Sequence, residues 1–220
     1  MYRPPAFVED DPAGLATILA EARLATLITV VDGAPLVDHL PILFDPDRGP
    51  LGTISGHLAR ANPQAAPAAD GRPALVAVLG PDAYVSPSFY PSKRDTGRVV
   101  PTWNYIAVQA HGRIRLFDDP DRLLALVSTL TDRHEADRAD PWKVADAPES
   151  FVRAQLKGIV GFEISVERLE GKRKLSQNRS SADRDGVVAG LAASPEARDR
   201  EVAAAMGSPV APVDGARPAP

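Results

Sequence analysis

Val99-Val100-Pro101-Thr102-Trp103-Asn104-Tyr105-Ile106-Ala107-Val108 decides the fold. It opens an alternating stretch that continues to Phe117, and that length predicts one long β-strand with a bend at Gly112. Strand interiors favour Val and Ile. Thr-Trp-Asn-Tyr offers instead a flat aromatic face with several hydrogen-bonding groups in four residues. Such a surface suits a planar, polar-edged ligand, such as a flavin ring.

Working outward, residues 25–31 and 36–43 are β-rich and flank Asp32-Gly33, a tight hairpin signal. Residues 51–56, 74–79, 83–86 and 160–166 add further strands, with a turn expected at Gly80-Pro81-Asp82. Asp10-Asp11-Pro12 and Asp118-Asp119-Pro120 each place an Asp cap before a Pro, the chemistry of a helix start. Another helix is expected from Pro148, and two short ones over 182–206, split at Ser194-Pro195. Residues 87–97 are too rich in Pro, Ser and charge for regular structure. Six or seven strands with few helices between them predict a mainly antiparallel α+β fold, closed or partly closed as a barrel. One domain is expected over 1–207, with a disordered Ala/Pro-rich tail over 208–220.

The 220 residues are 25% charged and 44% hydrophobic with net charge −4, an ordinary globular composition without a strongly basic footprint. There is no cysteine, which excludes disulfides, thiolate metal sites and cysteine nucleophiles. No apolar run approaches the roughly 20 residues of a membrane span. Met1-Tyr2-Arg3-Pro4-Pro5 does not follow the pattern of a signal peptide, so a cytoplasmic protein is expected.

Four clusters carry chemistry. In Gly56-His57-Leu58-Ala59-Arg60-Ala61-Asn62-Pro63 a strand is expected to give way to a short helix. His57 and Arg60 at a helix start would suit an anion such as phosphate, or form a solvated turn. Residues 84–93 combine two tyrosines, three serines and Lys93 in one loop, either a binding loop or a Pro-stiffened surface segment. Thr102, Trp103, Asn104 and Tyr105 form the third cluster, a ligand surface or a barrel-rim Trp. The fourth is Lys172, Arg173, Lys174, Ser176, Gln177, Asn178 and Arg179, with Arg184 beyond. Its cations suit phosphate or a DNA backbone, and its amides the edge of a heterocycle; its plain reading is a solvated charge run. His134-Glu135 has no second histidine at zinc-helix spacing, and no metal site is expected.

Taken together these segments resemble the PaiB family of FMN-binding negative transcriptional regulators. The matching words are Gly56-His57-Leu58-Ala59-Arg60-Ala61-Asn62-Pro63-Gln64, Gly80-Pro81-Asp82-Ala83-Tyr84-Val85-Ser86-Pro87, Val100-Pro101-Thr102-Trp103-Asn104-Tyr105, and Gly171-Lys172 with Lys174-Leu175-Ser176-Gln177-Asn178-Arg179. The resemblance covers the chain from Met1 to about Leu191. It implies a split β-barrel like that of pyridoxamine phosphate oxidase, with peripheral helices and FMN between the subunits of a homodimer.

On this resemblance Trp103 or Tyr105 contacts the ring and Asn104 and Gln177 its polar edge, with Thr102, Ser176, Asn178 and Asn62 also in the expected cofactor-binding set. His57, Arg60 or Lys93 holds the phosphate. Ala65, Phe89 and Arg173 stand where the family pattern often has Trp, which opens the pocket. DNA is the partner implied for a regulator, and Lys172, Arg173, Lys174, Arg179 and Arg184 are the candidate contacts. The competing readings are a flavin-dependent oxidoreductase and a haem-binding barrel with His39, His57 or His111 as axial ligand.

Overall fold

A computed structural model describes residues 1–207; the expected tail lies outside the described residues. Eight strands are present among them: β1 (Val8–Glu9), β2 (Ala25–Val31), β3 (Ala34–Leu40), β4 (Leu43–Asp45), β5 (Thr53–Ala59), β6 (Pro73–Val85), β7 (Thr102–Phe117) and β8 (Ile159–Lys174). The helices are α1 (Pro12–Glu21), α2 (Ser92–Thr96), α3 (Pro120–Glu135), α4 (Glu149–Leu156), α5 (Ser181–Ala192) and α6 (Ala197–Gly207). The sheet order is β3-β2-β6-β7-β8-β5-β4, with β1 also on β8. The β1–β8, β2–β3, β2–β6, β4–β5 and β5–β8 pairings are antiparallel. The α+β, mainly antiparallel expectation is therefore met.

The chain forms two compact units, and β6, β7 and β8 are long enough to serve both. The first comprises Ala16–Val78 and Gln109–Leu169. Its hairpin turns at Asp32 and Gly33, both with positive φ (52° and 80°), which matches the right-handed twist of the flanking strands. Leu27, Ile42, Ile54, Ile114, Phe162 and Ile164 are fully buried and form its core. Asp119 caps α3 by accepting from the Arg122 N–H at 2.8 Å, and Leu123, Leu126 and Leu130 present that helix's buried stripe.

In the same unit Glu163 accepts two bonds from Arg48 (2.5 and 2.9 Å) and faces Arg122 at 3.0 Å. The Arg48 bonds, with Arg122 adding to them, hold its carboxyl below the usual carboxylate range against an opposing desolvation. A depressed folded pKa contributes stability that is present above the unfolded value and lost as pH falls through the folded one. Glu163→Gln is expected to flatten the acid limb of the stability–pH profile, as read by denaturant titration between neutral and acid pH. An unchanged profile contradicts this.

The second unit comprises Met1–Leu15, Leu79–Val108 and the described residues from Glu170 onward. Two expectations change here. Gly80-Pro81-Asp82 makes no turn: β6 runs through it, with Gly80 against Ile106 and Asp82 paired to Arg198 at 3.0 Å. Residues 87–97 are ordered as a 3-10 turn (Pro87–Phe89) and α2, which stops at Gly97 in the left-handed region (φ 64°). The cause lies far along the sequence. Asp183 of α5 accepts from Ser92 N at 3.0 Å and Ser92 Oγ at 2.8 Å, and Phe89 lies against Gly186 and Gly190.

Candidate functional site

Side chains alternate between the two faces of a strand. In β7 the inward set is Asn104, Ile106, Val108, Ala110, Gly112 and Ile114, all buried. Thr-Trp-Asn-Tyr therefore does not form one surface. Asn104 is fully buried with the inward set, while Trp103 and Tyr105 point to the other side. Trp103 is half exposed and stands edge-to-face with Tyr84, centroids 6.0 Å apart. Tyr105 has the Lys172 amine 5.1 Å from its ring centroid.

Within this unit Thr102, Asn104, Ser176 and Asn178 line a recess of about 110 Å³, together with Lys174, Arg179 and Phe7. Asn104 donates to Ser176 Oγ at 3.0 Å and to Met206 Sδ at 3.5 Å, and Ser176 returns a bond to Asn104 Oδ1 at 3.2 Å. Ser176 is held at φ 62°, a conformation that costs energy for a residue with a Cβ and clusters at functional sites. Lys174 donates to Thr102 Oγ1 at 2.5 Å and to the Trp103 carbonyl. Desolvation, then the neighbouring Lys172 and Arg179 charges, lower its amine below the usual lysine value. The Arg179 guanidinium lies 4.8 Å from the Tyr90 ring centroid.

The other expected residues lie elsewhere. Gln177 closes its own loop, accepting from Leu175 N at 2.7 Å and donating to Arg173 O at 2.5 Å. Lys93 sits in α2 and donates to Ser88 Oγ at 3.2 Å, away from the recess lining. His57, Arg60 and Asn62 belong to the first unit. The short helix expected from His57 does not form. Ile54, Gly56 and Leu58 bury with period two, and β5 stays paired to β8 as far as Ala59↔Ile159. His57 is thus a half-buried strand residue rather than the start of a helix, its pKa lowered by desolvation. Arg60 donates to the carbonyls of Lys157 (2.8 Å) and Ile159 (3.0 Å), and Asn62 donates to Asp38 at 2.8 Å.

The basic run is not a solvated face. Lys172 is buried and donates to Tyr2 O at 3.1 Å; Arg173 pairs with Glu9 at 2.7 Å; Arg184 donates to the Met206 carbonyl. Lys174 and Arg179, which the sequence offered for phosphate or a DNA backbone but not among the expected cofactor-binding residues, line the recess. Their signal was present in the fourth cluster, but nothing local revealed that β8 carries it to the start of β7. His39 bonds Thr26 Oγ1 at 3.0 Å and His111 lies 3.1 Å from Arg168. Among the described residues no group of three or more His, Asp or Glu could hold a metal ion. No described helix is long and apolar enough to cross a membrane.

Residues 1–168 match a family described as "putative FMN-binding domain". Protease synthase and sporulation protein PAI 2 of Bacillus subtilis is 32% identical, over 86% of this chain and 87% of its own. An uncharacterized protein of Emericella nidulans is 35% identical, over 84% of this chain and 83% of its own. Among solved structures, the FAD and heme binding protein from Mycobacterium smegmatis aligns with TM-score 0.57 at 20% identity, covering 83% of this chain and 80% of that one. The flavocytochrome Anf3 from Azotobacter vinelandii aligns with TM-score 0.53 at 16% identity, covering 76% and 68%. These two likenesses show the fold, the split-barrel class expected from the sequence.

Proposed function

The chain belongs to the FMN-binding domain family that matches its first 168 residues, and from that premise we propose that it is a homodimeric FMN-binding regulator. FMN is the cofactor of the family, and the recess is the observation that carries the reading to particular residues. Two cations, two amides and two hydroxyls converge there without a carboxylate in the lining, beside the half-exposed Trp103. That donor set fits the polar groups of FMN. Lys174 and Arg179 bind an anionic group, Asn104 and Ser176 fix the wall, and Trp103 offers an aromatic face. FMN supplies the redox chemistry when bound, and the protein positions and tunes it.

At about 110 Å³ the recess takes only one end of FMN, since pockets for whole ligands run to roughly 300–1,000 Å³. A second copy of the chain supplies the remaining wall in this reading. The β2–β3 hairpin supports it with an apolar face: Ile28 opposes Val37, and Val30 and Val37 are about half exposed. The regulatory role rests on the resemblance to the PaiB regulators and on the relative named as a protease synthase and sporulation protein. It does not draw on Lys172, Arg173 and Arg184 of the basic run, which already have partners within the chain.

FMN at about 100 times its Kd is expected to stabilise the protein by about 2.7 kcal/mol. That raises the Tm by roughly 5–10 °C for a chain of this size. Trp fluorescence should be quenched, and the sample should sediment as a dimer. No quenching and no Tm shift at millimolar FMN would overturn the flavin assignment, and a monomer at all concentrations the dimer.

A further inference from the structure

We propose that the recess formed by Lys174, Arg179, Asn104 and Ser176 is a binding site for a phosphate-type oxyanion. It rests on the flavin reading, which places an anionic group at Lys174 and Arg179, and deepens it by naming the chemistry of that group and the residues that hold it.

The charge balance is the first reason. Among the described residues neither Lys174 nor Arg179 has a carboxylate within ion-pair distance. The bonds of Lys174 go to a hydroxyl and a carbonyl, and the recorded contact of Arg179 is an aromatic face. Asp183 shares the field of Arg179, but both its oxygens are engaged by Ser92. Two cations held together without a counter-charge repel each other, and an anion between them removes that cost.

The donor geometry is the second reason. Lys174, which carries three N–H groups, uses two recorded bonds, and the planar Arg179 fork suits phosphate oxygens. Asn178 is exposed and lines the recess, adding a neutral donor. Burial of Asn104 and Ser176 behind it gives a wall already fixed before a ligand arrives. The αL backbone at Ser176 sets that wall at an energetic cost, which a site repays by binding. The volume suits a tetrahedral oxyanion.

The phosphate has two sources, the 5′-phosphate of FMN itself or a phosphorylated second ligand. The test uses inorganic phosphate, followed by titration calorimetry and thermal shift against chloride of equal ionic strength. Saturable stabilisation by phosphate is expected. Arg179→Gln and Lys174→Met should each weaken phosphate binding by about tenfold, the scale of one charge-assisted bond. Arg179→Lys, which keeps the charge but loses the fork, should weaken binding less than Arg179→Gln, and Arg198→Gln, which removes a cation paired outside the recess, should change nothing. Circular dichroism of each variant confirms folding; if Arg179→Gln does not fold, Arg179→Lys and Lys174→Met carry the comparison.

If phosphate competes with FMN, and Arg179→Gln abolishes the preference for FMN over riboflavin, the oxyanion is the flavin's own. If phosphate and FMN bind together, the oxyanion belongs to a second ligand. Phosphate binding without FMN binding leaves this site standing and removes the flavin reading. FMN binding with no phosphate effect beyond chloride, or with affinities equal in all variants, overturns this site and leaves the flavin reading intact.

Discussion

Gly112→Ala is expected to destabilise the protein by about 3 kcal/mol, the upper range for forcing one methyl into a packed site. Gly112 is buried in β7 in the first unit. A Cβ there would sit 2.3 Å from the Ser165 carbonyl oxygen and 2.7 Å from Ile164 Cγ2. The obstacle is backbone, so no rotamer change relieves it, and the strands must separate. For a chain of this length the Tm should fall by roughly 6–12 °C. Gly80→Ala in β6 is the matched control. Its new methyl would approach Ile106 no closer than 3.4 Å, so its effect should stay within about 1 kcal/mol. Equal effects of the two substitutions would contradict the close approach at Gly112.

Asn104→Leu is the second large expectation, and it acts on the site. The side chain keeps its branched heavy-atom shape but loses the amide that bonds Ser176 Oγ in both directions. Ser176 is itself buried, so its hydroxyl is left without that partner at a cost of about 2 kcal/mol. Ligand affinity should fall with it, because the same pair forms the recess wall. Asn104→Leu combined with Ser176→Ala should recover most of the stability, since an apolar pair of similar shape leaves nothing unsatisfied. It should not recover ligand affinity. A double variant as unstable as the sum of its single changes would show that the Asn104–Ser176 bonds are not the source of the loss.

Legibility of the fold followed the range of the forces that set it. The period-two pattern of β7, the Asp-Pro helix starts and the Asp32-Gly33 turn are local signals, and the corresponding elements formed where they were expected. Residues 87–97 were unreadable because Asp183, more than eighty positions away, holds Ser92. Residues 57–59 misled because Gly, His and Arg imitate a helix entrance, while Leu58 continues the alternation of β5. In the candidate site, Thr102, Asn104, Ser176 and Asn178, named from two segments some seventy residues apart, line one recess. Alternation could have separated Asn104 from Trp103 and Tyr105, and no local pattern could have joined Lys174 to Thr102.

The central claim is that this protein holds FMN. The direct measurement is the absorbance spectrum of the purified protein after incubation with FMN and desalting. Flavin bands retained at about one FMN per chain, and lost or much reduced in Asn104→Leu, are the predicted result. A colourless protein that releases all added FMN would contradict the account.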